Sequence, residues 1–257
     1  MPPTPTERLS NRREKAIRKL TRRKHRRKQG RALVEGVRAV AAALEAQAPL
    51  ASLVVAGDAL DGDARVAELA RRAARRDLSV YTTPPETLAS LSDVASPQGV
   101  LAVVRAEMTP ARALAEAEEG VLVLDGVQDP GNAGTALRTA AWFGAGAVLA
   151  GPGTAGLYGP KTVRAAMGAH WRLTLSRTDA LSDALHRLRR SGFALYGADL
   201  TGTPASAWAP RRPSAPALDA VSERVALPAA GGGEAAGVES LNVAVAGGIL
   251  MYEWLGG

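Results

Sequence analysis

Three short segments of this chain combine residue types and spacings suited to chemistry on a polyanion. The sharpest is Asp129-Pro-Gly-Asn-Ala-Gly-Thr-Ala-Leu-Arg138, followed by Phe143-Gly144. It reads as a tight turn entering a helix whose first amides lack partners within the helix, and such a terminus favours an anion such as a backbone phosphate. Asn132 is a good N-cap. Gly134 and Arg138 lie four apart on one helix face, with Gly134 leaving room for a ligand and Arg138 one turn above it. A capped helix with a surface arginine would look the same in isolation. No Gly-Lys-Ser/Thr follows, so this is not a P-loop.

The second segment is Lys161-Thr-Val-Arg-Ala-Ala-Met-Gly-Ala-His170, containing the only lysine after residue 28. Pro160 at its start and Gly168 near its end also describe an ordinary helix. The third is Glu239-Ser-Leu-Asn-Val243, behind a glycine-rich loop at Gly231–Gly237. A loop with little side-chain bulk lets backbone amides approach a flat ligand such as an adenine. Ser240 and Asn242 are placed to contact that ligand or simply to cap the last helix.

Charge is concentrated at the front. Residues 1–31 hold thirteen Lys/Arg against Glu7 and Glu14, a net +11 in a chain of +7, so the remainder carries −4. Such a block attracts polyphosphate, because each neutralised phosphate releases counterions. Arg22, Arg23, Lys24, Arg26 and Arg27 form its densest part and are candidate RNA-binding residues, although a solvated tail would have the same composition.

The elements that must position these segments alternate between strand and helix. A basic helix runs from about Arg8 to Gly30, with Leu9, Ile17 and Leu20 as its thin apolar face, so it folds against RNA or the next domain. A helix near 33–46, a strand at Ser52–Ala56, a helix near 63–76, a strand at Ser79–Tyr81, a helix near 84–91 and a strand at Gly99–Arg105 make a small α/β domain. Glu107–Glu119 reads as a polar helical linker. The second α/β unit opens on the apolar run Val121–Leu124, of the kind a buried parallel strand needs. A helix through about Phe143, a strand at Ala147–Ala150, a helix near 160–168, a strand at Arg172–Leu175, a helix near 179–190 and a strand at Phe193–Tyr196 follow. Residues 201–217 carry no assignable element, Val225–Leu227 is a short strand, and a helix runs from about Leu241 to Trp254. The expected divisions are a basic arm at 1–31, a small α/β domain at 32–106, a linker at 107–119 and a second α/β domain at 120–257.

Composition sets limits. A chain of 257 residues with 46% hydrophobic and 22% charged residues is globular and allows one large or two modest domains. No run approaches the ~20 apolar residues of a membrane span, and the Pro-, Thr- and Arg-rich start is no secretory signal, so the expectation is a soluble protein. With no cysteine, disulfides, thiolate metal sites and cysteine nucleophiles are excluded. The three histidines (His25, His170, His186) form no ligand cluster, and no metal is expected. No Gly-x-Gly-x-x-Gly follows the first strand, which excludes a dinucleotide-dependent Rossmann enzyme.

Together the three segments resemble the SpoU/TrmH branch of the SPOUT RNA ribose 2′-O-methyltransferases. The family pattern of Asn-x-Gly-x-x-x-Arg near Phe-Gly, an Arg-x-Ser-x-Gly-Ala helix and Glu-Ser-Leu-Asn-Val stands here as Asn132/Gly134/Arg138, Arg164/Ala166/Gly168/Ala169 and Glu239–Val243. The front also resembles the family: Asn11 and Lys15 precede the basic stretch, Val34-Glu35-Gly36 opens the domain and Gln98-Gly-Val-Leu-Ala102 closes it. The resemblance implies an α/β fold with a small ribosomal-protein-like RNA-binding domain and a C-terminal SPOUT domain tied in a trefoil knot, a rare exception to un-knotted topology. It implies a cytoplasmic homodimer using S-adenosylmethionine, with the apolar last helix (Val243, Val245, Ile249, Leu250, Trp254) as an interface candidate.

The implied reaction is in-line attack of an RNA ribose 2′-oxygen on the sulfonium methyl group, without metal. Arginine is a poor general base. Arg138 is therefore expected to orient the target and stabilise the developing oxyanion, with Asn132 positioning the ribose or the arginine, and Asn242 completing the catalytic set. The resemblance puts the cofactor against Leu227, Pro228, Ser240, Leu241 and Asn242, and RNA against Arg164 as well as the basic arm. A front domain of this kind points to ribosomal RNA. Transfer RNA, or an RNA-binding relative with impaired catalysis, stands as the alternative.

The sequence departs from the pattern in three places. Ala166 and Ala244 stand where many relatives have serine. Between Asp199 and Ala226 there is no apolar strand ending in Gly-x-Glu-x-x-Gly-Leu, only Trp208, Pro210, Arg211, Arg212 and Pro213 amid small residues. Gly232-Gly-Glu-Ala-Ala-Gly237 matches that loop literally but lies late in the chain, with Glu234 as the substitute glutamate.

Overall fold

Alternating strands and helices give two units, each described by itself in a computed structural model covering residues 6–117, 120–208, 223–227 and 242–255. The front unit comprises residues 1–107 and 156–172, the rear unit residues 108–155 and 173–257. This grouping differs from the boundaries read from sequence, which gave 156–172 to the catalytic domain and set 1–31 apart as an arm.

The front unit begins with β1 (Glu7–Arg8), α1 (Asn11–Arg18), a 3₁₀ turn at Lys19–Thr21 and α2 (Arg23–Gln29). The basic segment is thus broken rather than one helix. Ser10 caps α1, and Gly30 ends α2 in the left-handed conformation at φ +58°. Next come β2 (Arg31–Glu35), α3 (Val37–Glu45), β3 (Leu50–Ala56), α4 (Gly57–Gly62), α5 (Ala64–Ala74), β4 (Val80–Thr83), α6 (Pro85–Leu91) and β5 (Val100–Arg105). The sheet order is β1-β4-β3-β5-β2, with β1, β4 and β3 parallel and β5 antiparallel to both β3 and β2.

Strand alternation divides the buried side chains between two faces. Val100, Ala102 and Val104 join Val40, Leu44, Val66, Leu69 and Ala73 of α3 and α5 in one core. Leu101 and Val103 join Leu9, Ile17, Leu20, Leu88 and Leu91 in the other. The thin apolar face of the basic segment is therefore core, and its charges point outward. The helix expected near 33–46 is instead a strand and a shorter helix. Ala32-Leu33-Val34 is buried on both faces of the sheet, and Gly36 at φ +93° turns the chain into α3. That turn joins the two ends of the domain. Gln98 Oε1 accepts from Val37 N–H at 2.9 Å, and Gly36 N–H donates to Val100 O at 3.2 Å.

The rear unit starts with a 3₁₀ turn at Ala111–Glu116, where a helical linker was expected, then β6 (Val121–Leu124), α7 (Pro130–Trp142) and β7 (Ala147–Ala150). The chain then contributes α8 (Pro160–Ala166) and a 3₁₀ turn at Ala169–Arg172 to the front unit. There Val163 enters the core, and a Cβ on Gly168 would meet Ala42 at 2.7 Å. That turn delays the next strand, β8, to Thr174–Arg177. α9 (Leu181–Arg190), β9 (Tyr196–Pro204), β10 (Glu223–Ala226) and α10 (Val243–Leu255) complete the order. β6, β7 and β8 form a parallel three-stranded sheet with Leu114, Ala184 and Leu188 packed against Ala147 and Leu149. β9 runs into the segment left unassigned from sequence and pairs in parallel with β10 as a separate two-stranded sheet. Among the described residues no helix is long and apolar enough to cross a membrane.

Candidate functional site

In the rear unit the loops leaving the carboxyl ends of β6, β7 and β8 meet, the place where open parallel sheets hold ligands. Gly151 N–H and the Thr154 hydroxyl both donate to Leu124 O at 2.8 Å, closing the end of β6 against the loop after β7. Ala155 N–H donates to Val127 O at 2.9 Å, and Arg177 NH1 donates to Thr154 O at 3.0 Å. The loop packs closely at Gly151, where a Cβ would come within 2.7 Å of the end of the Leu181 side chain and 3.4 Å of Asp125. Gly126, at φ +64°, has open space where a side chain would stand. These loops make a rim of backbone with room beside it.

α7 begins on this rim. Its N-cap is Asp129 rather than Asn132: Asp129 Oδ1 accepts from Asn132 N–H at 2.8 Å, and Pro130 takes the first helical position. With the cap supplied by Asp129, the Asn132 side chain is available for another partner. Its Oδ1 accepts from Asn242 Nδ2 at 3.1 Å, across 110 residues of sequence. Asn242 in turn caps α10, its Oδ1 accepting from Ala244 N–H at 2.9 Å. The N-termini of two helices, each a positive dipole end, are thereby held side by side. Downstream the helices stay packed. A Cβ on Gly248 would lie 3.7 Å from the Thr139 methyl, and Phe143 and Tyr252 meet edge to face at 6.1 Å.

Arg138 is exposed on α7, able to reach a polyanion. Gly134 is buried, so the face expected to stay open for a ligand is a packing face. Leu227, half-buried, directly follows β10. Pro228, Ser240, Leu241 and Glu234 lie outside the described residues. Among the described residues no cluster of three His, Asp or Glu side chains could hold a metal ion.

The basic residues divide by environment. Arg22, Arg23, Lys24 and Arg27 are exposed, whereas Arg26 turns inward and donates through NH1 to Leu20 O at 2.9 Å and Thr21 O at 2.7 Å. Burial lowers the Arg26 pKa, with Arg23 adding to the shift and Asp93 opposing it. Arg164 of α8 lies 4.0 Å from Glu35 and 3.6 Å from Asp93, and Glu35 also accepts from the Ser92 hydroxyl. A guanidinium already facing two carboxylates is a weaker phosphate ligand than the exposed set. Farther along, buried His170 donates through Nε2 to Leu157 O at 2.7 Å, and burial pushes its pKa down to about 4.

Sequence reasoning missed two features. Asp129-Pro130 is itself a cap followed by a first-turn proline, a signal eclipsed by the asparagine beside it. Arg13, whose guanidinium sits 4.7 Å over the buried Tyr81 ring, carried no signal, because contacts between distant strands and helices leave no local pattern.

Comparison with known proteins covers both units. Residues 119–227 match the model of the SpoU rRNA Methylase family, and residues 11–102 match that of the MRM3-like substrate binding domain. Glu239–Val243 lies beyond the first match. The 23S rRNA (guanosine(2553)-2′-O)-methyltransferase RlmP of Bacillus subtilis is 30% identical over 97% of this chain and 98% of its own length. Among solved structures, a TrmH-family protein from Porphyromonas gingivalis is 33% identical with a TM-score of 0.76, covering 96% of this chain and 98% of its own. An AdoMet-bound rRNA methyltransferase from Sinorhizobium meliloti is 25% identical with a TM-score of 0.76, covering 96% of this chain and 95% of its own.

Proposed function

We propose, since the chain belongs to the SpoU rRNA methylase family, that it is an S-adenosylmethionine-dependent ribose 2′-O-methyltransferase acting on ribosomal RNA. The observation that carries this reading is the Asn132–Asn242 hydrogen bond, which unites the first and third sequence motifs at the strand-end rim. The rim fits the cofactor: open space at Gly126 and two helix N-termini suit a flat purine and a carboxylate. Leu227, Pro228, Ser240, Leu241 and Asn242 are the residues proposed to hold it. When bound, S-adenosylmethionine supplies an electrophilic methyl group on a sulfonium.

The chain's own residues supply orientation and charge. Arginine keeps its proton, so Arg138 acts as a fixed cation that draws in the phosphate beside the target ribose and stabilises negative charge developing on the 2′-oxygen. Asn132, fixed by Asn242, positions the ribose or the Arg138 side chain. The exposed Arg22, Arg23, Lys24 and Arg27 supply non-specific affinity for RNA. Arg26 and Arg164 belong to the RNA-binding proposal in a lesser role, since each already has partners within the front unit.

A trefoil knot in the rear unit, a cytoplasmic location and a homodimer complete the proposal. The dimer is supported by α7 and α10, which expose Trp142 at 82%, Tyr252 at 59% and Val245 at 52%. Apolar side chains that large and that exposed on adjacent helices suit a second copy of the chain.

The test is transfer of tritiated methyl groups from S-adenosylmethionine to ribosomal and transfer RNA fragments, with the product mapped by resistance to alkaline hydrolysis. Incorporation into ribosomal RNA at a hydrolysis-resistant linkage is expected. Incorporation into transfer RNA alone would move the substrate, and a base-methylated product would overturn the reaction.

A further inference from the structure

The front unit has a pocket of about 240 Å³ between α1 and the sheet. Arg13, Arg31, Gln29, Ser52 and Tyr81 line it over an apolar floor that includes Leu20 and Val103. A second hollow, about 520 Å³, shares Ala16 and Gln29 with it and adds Arg12, Lys15 and Lys19. Among the described residues no carboxylate lines either one. Five cations therefore line two adjoining hollows without a described counter-charge on their walls, a field that draws phosphate.

The pocket is also built for a flat ring. Tyr81 is only 5% exposed and holds the Arg13 guanidinium 4.7 Å above its own ring, so Arg13 lines the pocket as a planar cation. A guanidinium plane fixed in this way is a stacking surface for a base, with Ser52 and Gln29 as hydrogen-bonding groups nearby. A paired base in a duplex cannot enter, because its faces are covered by its neighbours.

We propose that this pocket is a subsite for one unpaired nucleotide of the RNA, with the base against Arg13 and the flanking phosphates on Lys15, Lys19 and Arg31. It rests on the reading that RNA is the substrate. It assigns the front unit discrimination between looped and helical RNA, beyond general attraction by charge.

The test uses the full chain and fluorescence anisotropy with two labelled probes: a ten-nucleotide single-stranded RNA of mixed A and U, and a blunt ten-base-pair RNA duplex. The wild type should bind the single strand about tenfold more tightly than the duplex, as base stacking provides. Arg13→Lys keeps the charge but removes the plane. It should weaken single-strand binding about fivefold while leaving duplex binding within about twofold. Equal loss on both probes, or no loss on either, would overturn the subsite. Arg13 is exposed, and a circular dichroism spectrum matching the wild type checks that the variant folds. Methyl transfer by the wild type, measured alongside, separates the two ideas. Discrimination by Arg13 without methylation leaves the subsite standing and removes the enzyme reading, whereas methylation without discrimination does the reverse.

Discussion

The front sheet has apolar cores on both faces, drawn from helices of its own unit, while the rear site depends on helix caps and glycine loops. In the front unit even the basic segment contributes Leu9, Ile17 and Leu20 to the core and is stitched by Arg26 to its own turn. In the rear unit the three-stranded and two-stranded sheets are separate, and Asn132 and Asn242 tie distant motifs together through one hydrogen bond. On the proposed reading the difference separates holding from acting: RNA recognition in the front unit is backed by a packed core, whereas cofactor and ribose would enter at a rim with open space at Gly126.

If the rear unit holds the chemistry, Arg138→Ala produces the largest effect: methyl transfer falls about 10²–10³-fold while cofactor affinity stays within about twofold. Single-turnover rates and calorimetry measure the two sides, and loss of cofactor binding alone would take Arg138 out of its role. If the front unit is rigid backing, Leu20→Ala destabilises it by ~3 kcal/mol, the cost of a cavity under a side chain that is 1% exposed. Urea denaturation reads this, and a change under about 1 kcal/mol would return the basic segment to a detached arm.

The front unit also carries a pH signature. His170 is depressed from 6.5 to about 4 when folded, so the unfolded chain binds the proton more readily. Its stabilising contribution is complete above pH 6.5 and is lost as pH falls toward 4, by at most ~3 kcal/mol. Urea midpoints at pH 7.5 and 5 should show a drop that His170→Gln reduces. Asn242→Ala removes a cap and the link to Asn132, costing the rear unit ~1 kcal/mol. Paired with Asn132→Ala it should give a non-additive cycle, because the two share one bond.

Much of the α/β order was legible because strand and helix periods differ: Val121–Leu124 and Ala147–Ala150 fall where the apolar runs placed them. Ala32–Val34 misled because a strand buried on both faces has no alternation to distinguish it from a helix. The docking of 156–172 into the front unit was invisible for another reason. Gly168 approaches Ala42, more than a hundred residues away, and no local pattern encodes such a partner. At the site, the residue types of the motifs pointed to Asn132 and Asn242. Their mutual hydrogen bond, and the cap by Asp129, appear only once the helices are placed.

The proposed activity requires a cofactor pocket in the rear unit, where the sequence between β9 and β10 departs from the family pattern. Calorimetric titration of the purified full chain with S-adenosylmethionine tests this directly. The predicted result is saturable binding at micromolar affinity with one site per subunit. No heat of binding at millimolar cofactor, from a folded protein that still binds ribosomal RNA, would contradict the enzyme and leave an RNA-binding relative in its place.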